Sequence, residues 1–182
     1  GGSSLVTALR TAMSHLDAAA REEGTITDGA TLQRELLPLA EALEQWLQSQ
    51  EINDAAAWSL IADARRRCGD PSAAIVIYDR LLAAHPNAGS LLAGRADALV
   101  AAGGAERLGE AMGLYRRLAS AGVESNPRRW WISQLRMLEI LDLMDRNTDQ
   151  IAPRIRRLQQ QDPSLGGVDT RRAFERLLVK YQ

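Results

Sequence analysis

The stretch from Trp58 to Pro86 constrains the fold most strongly, because it carries two apolar stripes separated by a short turn. The first stripe comprises Trp58, Ile61, Ala62 and Arg65, and the second comprises Ala74, Tyr78 and Leu81. Within each stripe the residues recur at the three- and four-residue intervals of one helix face. Ala62 and Ala74 are small enough to let two helix backbones approach closely. Two helices connected so tightly must lie antiparallel and share one core.

The residues between the stripes have the chemistry of a helix end followed by a helix start. Gly69 can take the left-handed conformation that ends a helix. Asp70 can cap the next helix, and Pro71 fits its first turn. Together with the stripes, this turn predicts a helical hairpin over residues 55–88.

The order of these residues resembles the tetratricopeptide repeat. The pattern of that family runs Trp, two residues, Leu, a small residue, two residues and Tyr, and later Ala, three residues, Phe and finally Pro. Arg65 departs from the pattern, because it occupies the position of a Tyr. The resemblance implies an all-α fold, a right-handed superhelix of stacked antiparallel hairpins with about nine helices. It also implies a scaffold for protein–protein interaction rather than an enzyme.

Two less regular copies follow, as expected because a single repeat cannot bury its own apolar face. The second predicted repeat covers residues 89–122, turns at two consecutive glycines, and carries Arg95 where the family has Leu. The third covers about residues 128–163 and has a longer, polar turn. Its predicted core consists of Trp131, Leu135, Leu138, Ile151, Ile155 and Leu158.

The flanking segments show helical periodicity without the motif. Residues 1–52 predict an N-terminal hairpin, and residues 164–182 predict a helix that caps the stack. Pro38 lies inside the second helix of that hairpin, so the helix either starts late or bends. We therefore expect a single domain over residues 1–182, with three repeats over residues 53–163.

Composition and motifs give no support for an enzyme, a nucleic-acid partner or a bound cofactor. The net charge of −1 and the pI of about 6.2 provide no strongly basic surface for nucleic acid. No apolar run approaches the roughly 20 residues of a membrane span. The two histidines, His15 and His85, lack neighbours at metal-ligand spacing, and Cys68 is expected to be a buried apolar residue. We expect no catalytic residue, cofactor or metal.

If the chain binds a partner, the resemblance places the site on the first helices of successive repeats. The candidate residues are Ser59, Asp63, Arg66 and Arg67 in the first repeat, and Ala93 and Asp97 in the second. Asp63 and Asp97 lie one repeat period apart, so stacking would align them in an acidic stripe. The alternative is that Asp63 pairs with Arg66 or Arg67 on its own helix and that Asp97 is solvated.

Two adjacent tryptophans give a second candidate. Neighbouring helical residues point about 100° apart, so both indoles cannot enter one narrow core stripe. Trp131 matches the repeat core, which leaves Trp130, with Arg129 and Arg136, as candidate partner contacts. The alternative is that Trp130 packs on the loop formed by residues 121–127.

These features predict a module that binds an unidentified peptide or protein on the concave face of the superhelix. The alternative is a structural spacer or self-association segment of a larger, exported bacterial protein, and a monomer is favoured over an oligomer. The chain starts Gly1-Gly2 without Met, so the removal of an N-terminal signal or anchor stays open. The sequence does not identify the compartment.

Overall fold

The computed structural model describes residues 1–23 and 29–181, and these residues form helices without any β-strand. The helices are α1 (Gly2–Glu23), α2 (Gly29–Ser49), α3 (Ala55–Arg67), α4 (Pro71–Ala84), α5 (Gly89–Ala102), α6 (Ala105–Ser120), α7 (Pro127–Leu143), α8 (Ile151–Gln161) and α9 (Val168–Val179). A short 3-10 turn, Thr148–Gln150, precedes α8. The predicted all-α fold is confirmed, with nine α-helices in the described residues.

The chain divides into two compact units, Gly1–Ala102 and Gly103–Gln182. The division falls in the glycine turn of the second predicted repeat, so α5 belongs to the first unit and α6 to the second. A single domain over residues 1–182 stays a prediction.

In the first unit, the turn between α3 and α4 forms as the residues predict. Gly69 has a φ of +86°, and the Asp70 carboxylate accepts a hydrogen bond from the backbone N–H of Ala73 at 3.0 Å. Pro71 occupies the first turn of α4. Asp54 caps α3 in the same way, because its carboxylate accepts from the backbone N–H of Ala56 at 2.9 Å. The predicted hairpin over residues 55–88 is confirmed.

The N-terminal hairpin packs as a repeat would, although it lacks the motif. α3 packs on α4, α4 packs on α5, and α3 also contacts α5. The N-terminal hairpin shows the same arrangement earlier in the chain. α1 packs on α2, α2 packs on α3, and α1 also contacts α3. α2 is helical throughout and Pro38 lies on its exposed side, so the alternative of a late helix start is wrong.

Aromatic side chains fill the core of the first unit. Trp58 is 4% exposed, and its indole N–H donates to the backbone carbonyl of Ile52 at 3.2 Å. Tyr78 is 1% exposed and its ring lies against Gly94 of α5, where a Cβ atom would come within 2.3 Å of the ring. Because only a residue without a side chain fits there, Gly94 sets how closely α5 approaches α4.

The two arginines that depart from the family pattern form ion pairs with a neighbouring helix. The Arg65 Nε donates to a carboxylate oxygen of Glu44 on α2 at 3.2 Å. The Arg95 Nε lies 2.6 Å from a carboxylate oxygen of Asp79 on α4. Both departures therefore replace an apolar contact by a charged contact between helices.

In the second unit, α6 packs on α7, and α9 packs on both α7 and α8. The core of the α7, α8 and α9 helices contains Trp131, Leu135, Leu138, Ile151, Ile155, Phe174, Leu177 and Leu178. The rings of Trp131 and Phe174 meet edge to face with centroids 6.3 Å apart. The residues predicted for the core of the third repeat lie in or against this core, and the assignment of these helices to a repeat and its cap stays a prediction.

The end of α9 is fastened to α7 through one carboxylate. The Lys180 Nζ lies 2.5 Å from an Asp142 oxygen, and the Tyr181 hydroxyl donates to the same oxygen. Burial raises the pKa of Asp142, but the hydrogen bonds from Lys180 and Tyr181 outweigh burial, so the net effect lowers this pKa.

Replacing Gly94 with Ala should destabilise the protein by about 1 to 3 kcal/mol, because the added Cβ collides with the Tyr78 ring. The matched control is Gly113→Ala in α6, where nothing lies within 4 Å of the added Cβ. That change should stabilise by up to about 1 kcal/mol, since Ala is a better helix former than Gly. Urea denaturation followed by circular dichroism measures both. Equal stabilisation by the two substitutions would show that Tyr78 does not lie against α5.

Asp142→Asn should lower stability at pH 7, and the difference from the parent protein should shrink as the pH falls below about 4. A carboxyl whose pKa is lowered by folding stabilises the protein above its unfolded pKa, and this contribution is lost as pH falls through the folded pKa. Denaturation midpoints between pH 7 and pH 3 measure the effect. Asp149→Asn, which removes an exposed carboxylate before α8, is the matched control for the loss of one negative charge. A difference for Asp142→Asn that is the same at every pH would contradict the interpretation.

Candidate functional site

Four of the predicted contact residues lie on two helices that touch each other. Ser59 and Asp63 are on α3, Ala93 and Asp97 are on α5, and all four are partly buried. α3 and α5 contact each other within the first unit. We call this surface the α3–α5 face. The structure therefore joins the two helices that the repeat pattern predicts as neighbours.

The core residue Tyr78 lies beneath the α3–α5 face and interacts with two of its residues. Its hydroxyl donates to the backbone carbonyl of Ser59 at 3.4 Å, and it also interacts with the Asp63 carboxylate. Burial raises the pKa of Tyr78, and the neighbouring Asp63 charge raises it further. The hydroxyl consequently stays protonated and remains a hydrogen-bond donor at neutral pH.

Asp63 forms an ion pair with Arg66 on its own helix, which is the alternative to a partner-binding role that the sequence leaves open. The Arg66 Nη2 lies 3.6 Å from an Asp63 oxygen, one turn away on α3. This separation is within ion-pair range but too long for a hydrogen bond, so the pair is weak. The Arg66 Nε is buried and has no hydrogen-bond partner among the described residues.

Arg67 is engaged with the N-terminal hairpin. Its two terminal nitrogens lie 2.7 and 3.2 Å from the two carboxylate oxygens of Asp17 on α1, which is a bidentate pair. This contact joins α1 to α3, so Arg67 stabilises the stacking of helices. Asp97, for its part, interacts with other groups of the chain and is not simply solvated.

The second unit contains a cleft between α7 and α8 that sequence analysis did not predict. Its volume is about 230 Å³. One wall is a stripe on α7 formed by Trp130, Gln134, Met137 and Leu138. The other wall is a stripe on α8 formed by Arg154, Arg157, Leu158 and Gln161. We call this feature the α7–α8 cleft.

The α7–α8 cleft has an apolar interior and a positively charged edge. Leu138 is 3% exposed, and Leu158 packs against the core of the second unit. Trp130 is half-buried and meets Trp131 edge to face, with ring centroids 4.9 Å apart. Both arginines are exposed, and neither forms an ion pair with any described residue.

The predicted contacts on α7 separate into two groups. Trp130 lines the α7–α8 cleft, whereas Arg129 and Arg136 do not. The backbone N–H of Arg129 donates to the Asn126 side chain at 2.9 Å, which caps α7. Arg136 pairs with Glu139 at 2.8 Å on the same helix. Of these three residues, Trp130 therefore has the surroundings of a binding residue.

The cleft residues that sequence analysis did not predict nevertheless follow a helical spacing in the sequence. The α8 residues of the cleft recur at intervals of three and four, and so do those of α7, which marks one stripe on each helix. The sequence does not reveal that these stripes line a cleft, because that depends on how α7, α8 and α9 pack together.

The described residues offer little for catalysis or metal binding. No group of three or more His, Cys, Asp or Glu side chains among them could hold a metal ion. Cys68 is buried as predicted, and burial raises the pKa of its thiol, so it lacks the thiolate character of a nucleophile. No helix in this part of the chain is both long and apolar enough to cross a bilayer.

Comparison with known families identifies the middle of the first unit. The family model of the tetratricopeptide repeat matches residues 55–98, which include α3, α4 and most of α5. Comparisons with curated proteins and with solved structures gave no match. The matched segment coincides with the hairpin that contains Trp58 and Tyr78, and with the following helix that bears Gly94. Residues 55–98 of the chain therefore match the tetratricopeptide-repeat family, as the residues of the α3–α4 hairpin predict.

Proposed function

We propose that this chain is a non-catalytic protein-interaction module that binds a peptide segment of its partner on the α3–α5 face. Tetratricopeptide repeats are typical of interaction modules, and the match covers α3 and most of α5, the two helices of this face. The observation that carries the proposal is the pair Asp63 and Asp97, one repeat period apart on helices that contact each other.

The chemistry of the α3–α5 face favours a basic or polar peptide. Two carboxylates lie at equivalent positions of successive repeats, while Ser59 and Ala93 are small and allow a peptide backbone to approach. A partner arginine or lysine would gain the Asp63 carboxylate, which lies beside the Tyr78 hydroxyl. An acidic segment would instead meet like charge, which disfavours binding.

Arg66 regulates how available Asp63 is. Because Arg66 lies 3.6 Å from Asp63, a partner cation can displace it without breaking a strong hydrogen bond. The displaced Arg66 would still be held near the face, since its Nε is buried. Arg67 keeps its bidentate contact with Asp17 and takes no part in this exchange.

Replacing Asp63 and Asp97 together by Asn should weaken peptide binding without unfolding the protein. The experiment selects binders to the purified chain from a displayed library of random peptides, and then measures their affinities by fluorescence anisotropy. We expect enrichment of Lys- or Arg-containing peptides, with affinity reduced about tenfold or more in the double variant. Light scattering on the same samples reports whether the chain instead associates with itself.

The matched control replaces Glu35 and Glu41 of α2 by Gln, which removes the same charge from exposed positions outside the α3–α5 face. This control should keep the parent affinity. If both double variants bind equally well, or if selection enriches no basic peptide, the α3–α5 face is not the binding surface.

A further inference from the structure

We propose that the α7–α8 cleft is a second binding site, which takes one large apolar side chain from an acidic peptide segment of a partner protein. The chemistry of this cleft is opposite in charge to that of the α3–α5 face. It lies wholly within the second unit, between Pro127–Leu143 and Ile151–Gln161. The two sites therefore differ in the ligands that they would take.

The size of the cleft favours a single side chain over a cofactor. Small-molecule pockets typically enclose roughly 300–1,000 Å³, whereas this cleft encloses about 230 Å³. It suits one bulky side chain together with its adjoining backbone. Aromatic and apolar side chains inserted in such clefts are the usual anchors of protein interfaces.

The interior of the cleft supplies apolar contact for that side chain. Leu138 and the partly buried Trp130 lie on the α7 wall, and the partly buried Leu158 lies on the α8 wall. Trp130 is held in place by its edge-to-face contact with the buried Trp131. Its orientation is consequently set before a ligand binds, which reduces the entropy that binding would cost.

The charges at the edge identify the ligand as acidic. Arg154 and Arg157 lie one turn apart on α8, and both are exposed. No carboxylate lines the cleft, and α8 contains no Asp or Glu between Ile151 and Gln161. Two guanidinium groups without an ion-pair partner are complementary to carboxylates placed beside an apolar side chain.

A peptide fits this arrangement better than a nucleic acid does. The chain has a net charge of −1, and the cleft offers two cations, which is too few for the phosphate contacts that dominate nucleic-acid affinity. The amides of Gln134 and Gln161 border the cleft and can bond to a peptide backbone. The shared features are those of a short acidic segment with an apolar centre.

The test uses the full chain and a fluorescent, end-capped octapeptide with a central Phe flanked by Glu on both sides. Anisotropy titration at low salt should show saturable binding. Replacing both Arg154 and Arg157 by Gln should weaken binding about tenfold or more, and replacing the peptide Phe by Ala should do the same. In the Asp63 and Asp97 double variant, in which the α3–α5 face is weakened, a peptide with Lys in place of Glu should not bind.

Arg156→Gln is the matched control, because Arg156 is exposed on the same helix but does not line the cleft. It should keep the parent affinity. Equal losses for Arg156→Gln and for the Arg154 and Arg157 variants would indicate general charge attraction and would overturn the proposal. Absence of saturable binding up to millimolar peptide, with thermal unfolding unchanged in every variant, would also overturn it.

Two further measurements distinguish the acidic peptide from two other ligands of the cleft, a nucleic acid and a second copy of this chain. The first measurement adds an oligothymidylate to the bound peptide. Displacement at a concentration below the dissociation constant of the peptide would assign the site to nucleic acid and overturn the proposal. A concentration-dependent mass that disappears when Arg154 and Arg157 are replaced would assign it to a second copy of this chain. The Asp63 and Asp97 double variant should bind the acidic peptide as the parent does, so failure of either proposal leaves the other distinguishable.

Discussion

The close approach of α3, α4 and α5 is the constraint on which the first unit depends. Ala62 and Ala74 are completely buried between α3 and α4, and Gly94 leaves room for the Tyr78 ring beneath α5. Small residues at these contacts let one tyrosine reach from α4 to both neighbouring helices. Its hydroxyl then bonds to Ser59 of α3, directly below the α3–α5 face. The packing of the core and the geometry of the proposed binding surface thus depend on the same residues.

Local chemistry made the α3–α4 hairpin predictable, and long-range contacts limited the rest. Caps and turns depend on neighbouring residues, so Gly69, Asp70 and Pro71 predict their own structure. Arg67 pairs with Asp17, 50 residues earlier, and no pattern within one helix indicates that contact. Without it, Arg67 is an obvious candidate for the α3–α5 face. The same limit applies to the N-terminal hairpin, which packs like a repeat without its motif.

The two departures from the repeat pattern have one physical explanation. Arg65 pairs with Glu44 on α2, and Arg95 pairs with Asp79 on α4, so each arginine contacts the helix that precedes its own. Arginine can do this because its aliphatic stem packs on apolar neighbours while its guanidinium reaches the exposed edge. The family pattern has Tyr and Leu at these two positions, so an arginine at either one departs from it. The structure shows instead that the contact between helices is kept with different chemistry.

The prevalence of arginine also bears on the two proposed sites. Lys180 is the only lysine among 22 basic residues, and many arginines are already paired with carboxylates between or within helices. Arg154 and Arg157 have no such pair among the described residues, and they lie beside an apolar cleft. Asp63 presents the reverse case, since the Arg66 guanidinium lies 3.6 Å from its carboxylate and forms only a weak pair with it. Each proposed surface thus contains a charged group whose pairing among the described residues is weak or absent, Asp63 in one and Arg154 and Arg157 in the other, and the sign of that group predicts the charge of the ligand.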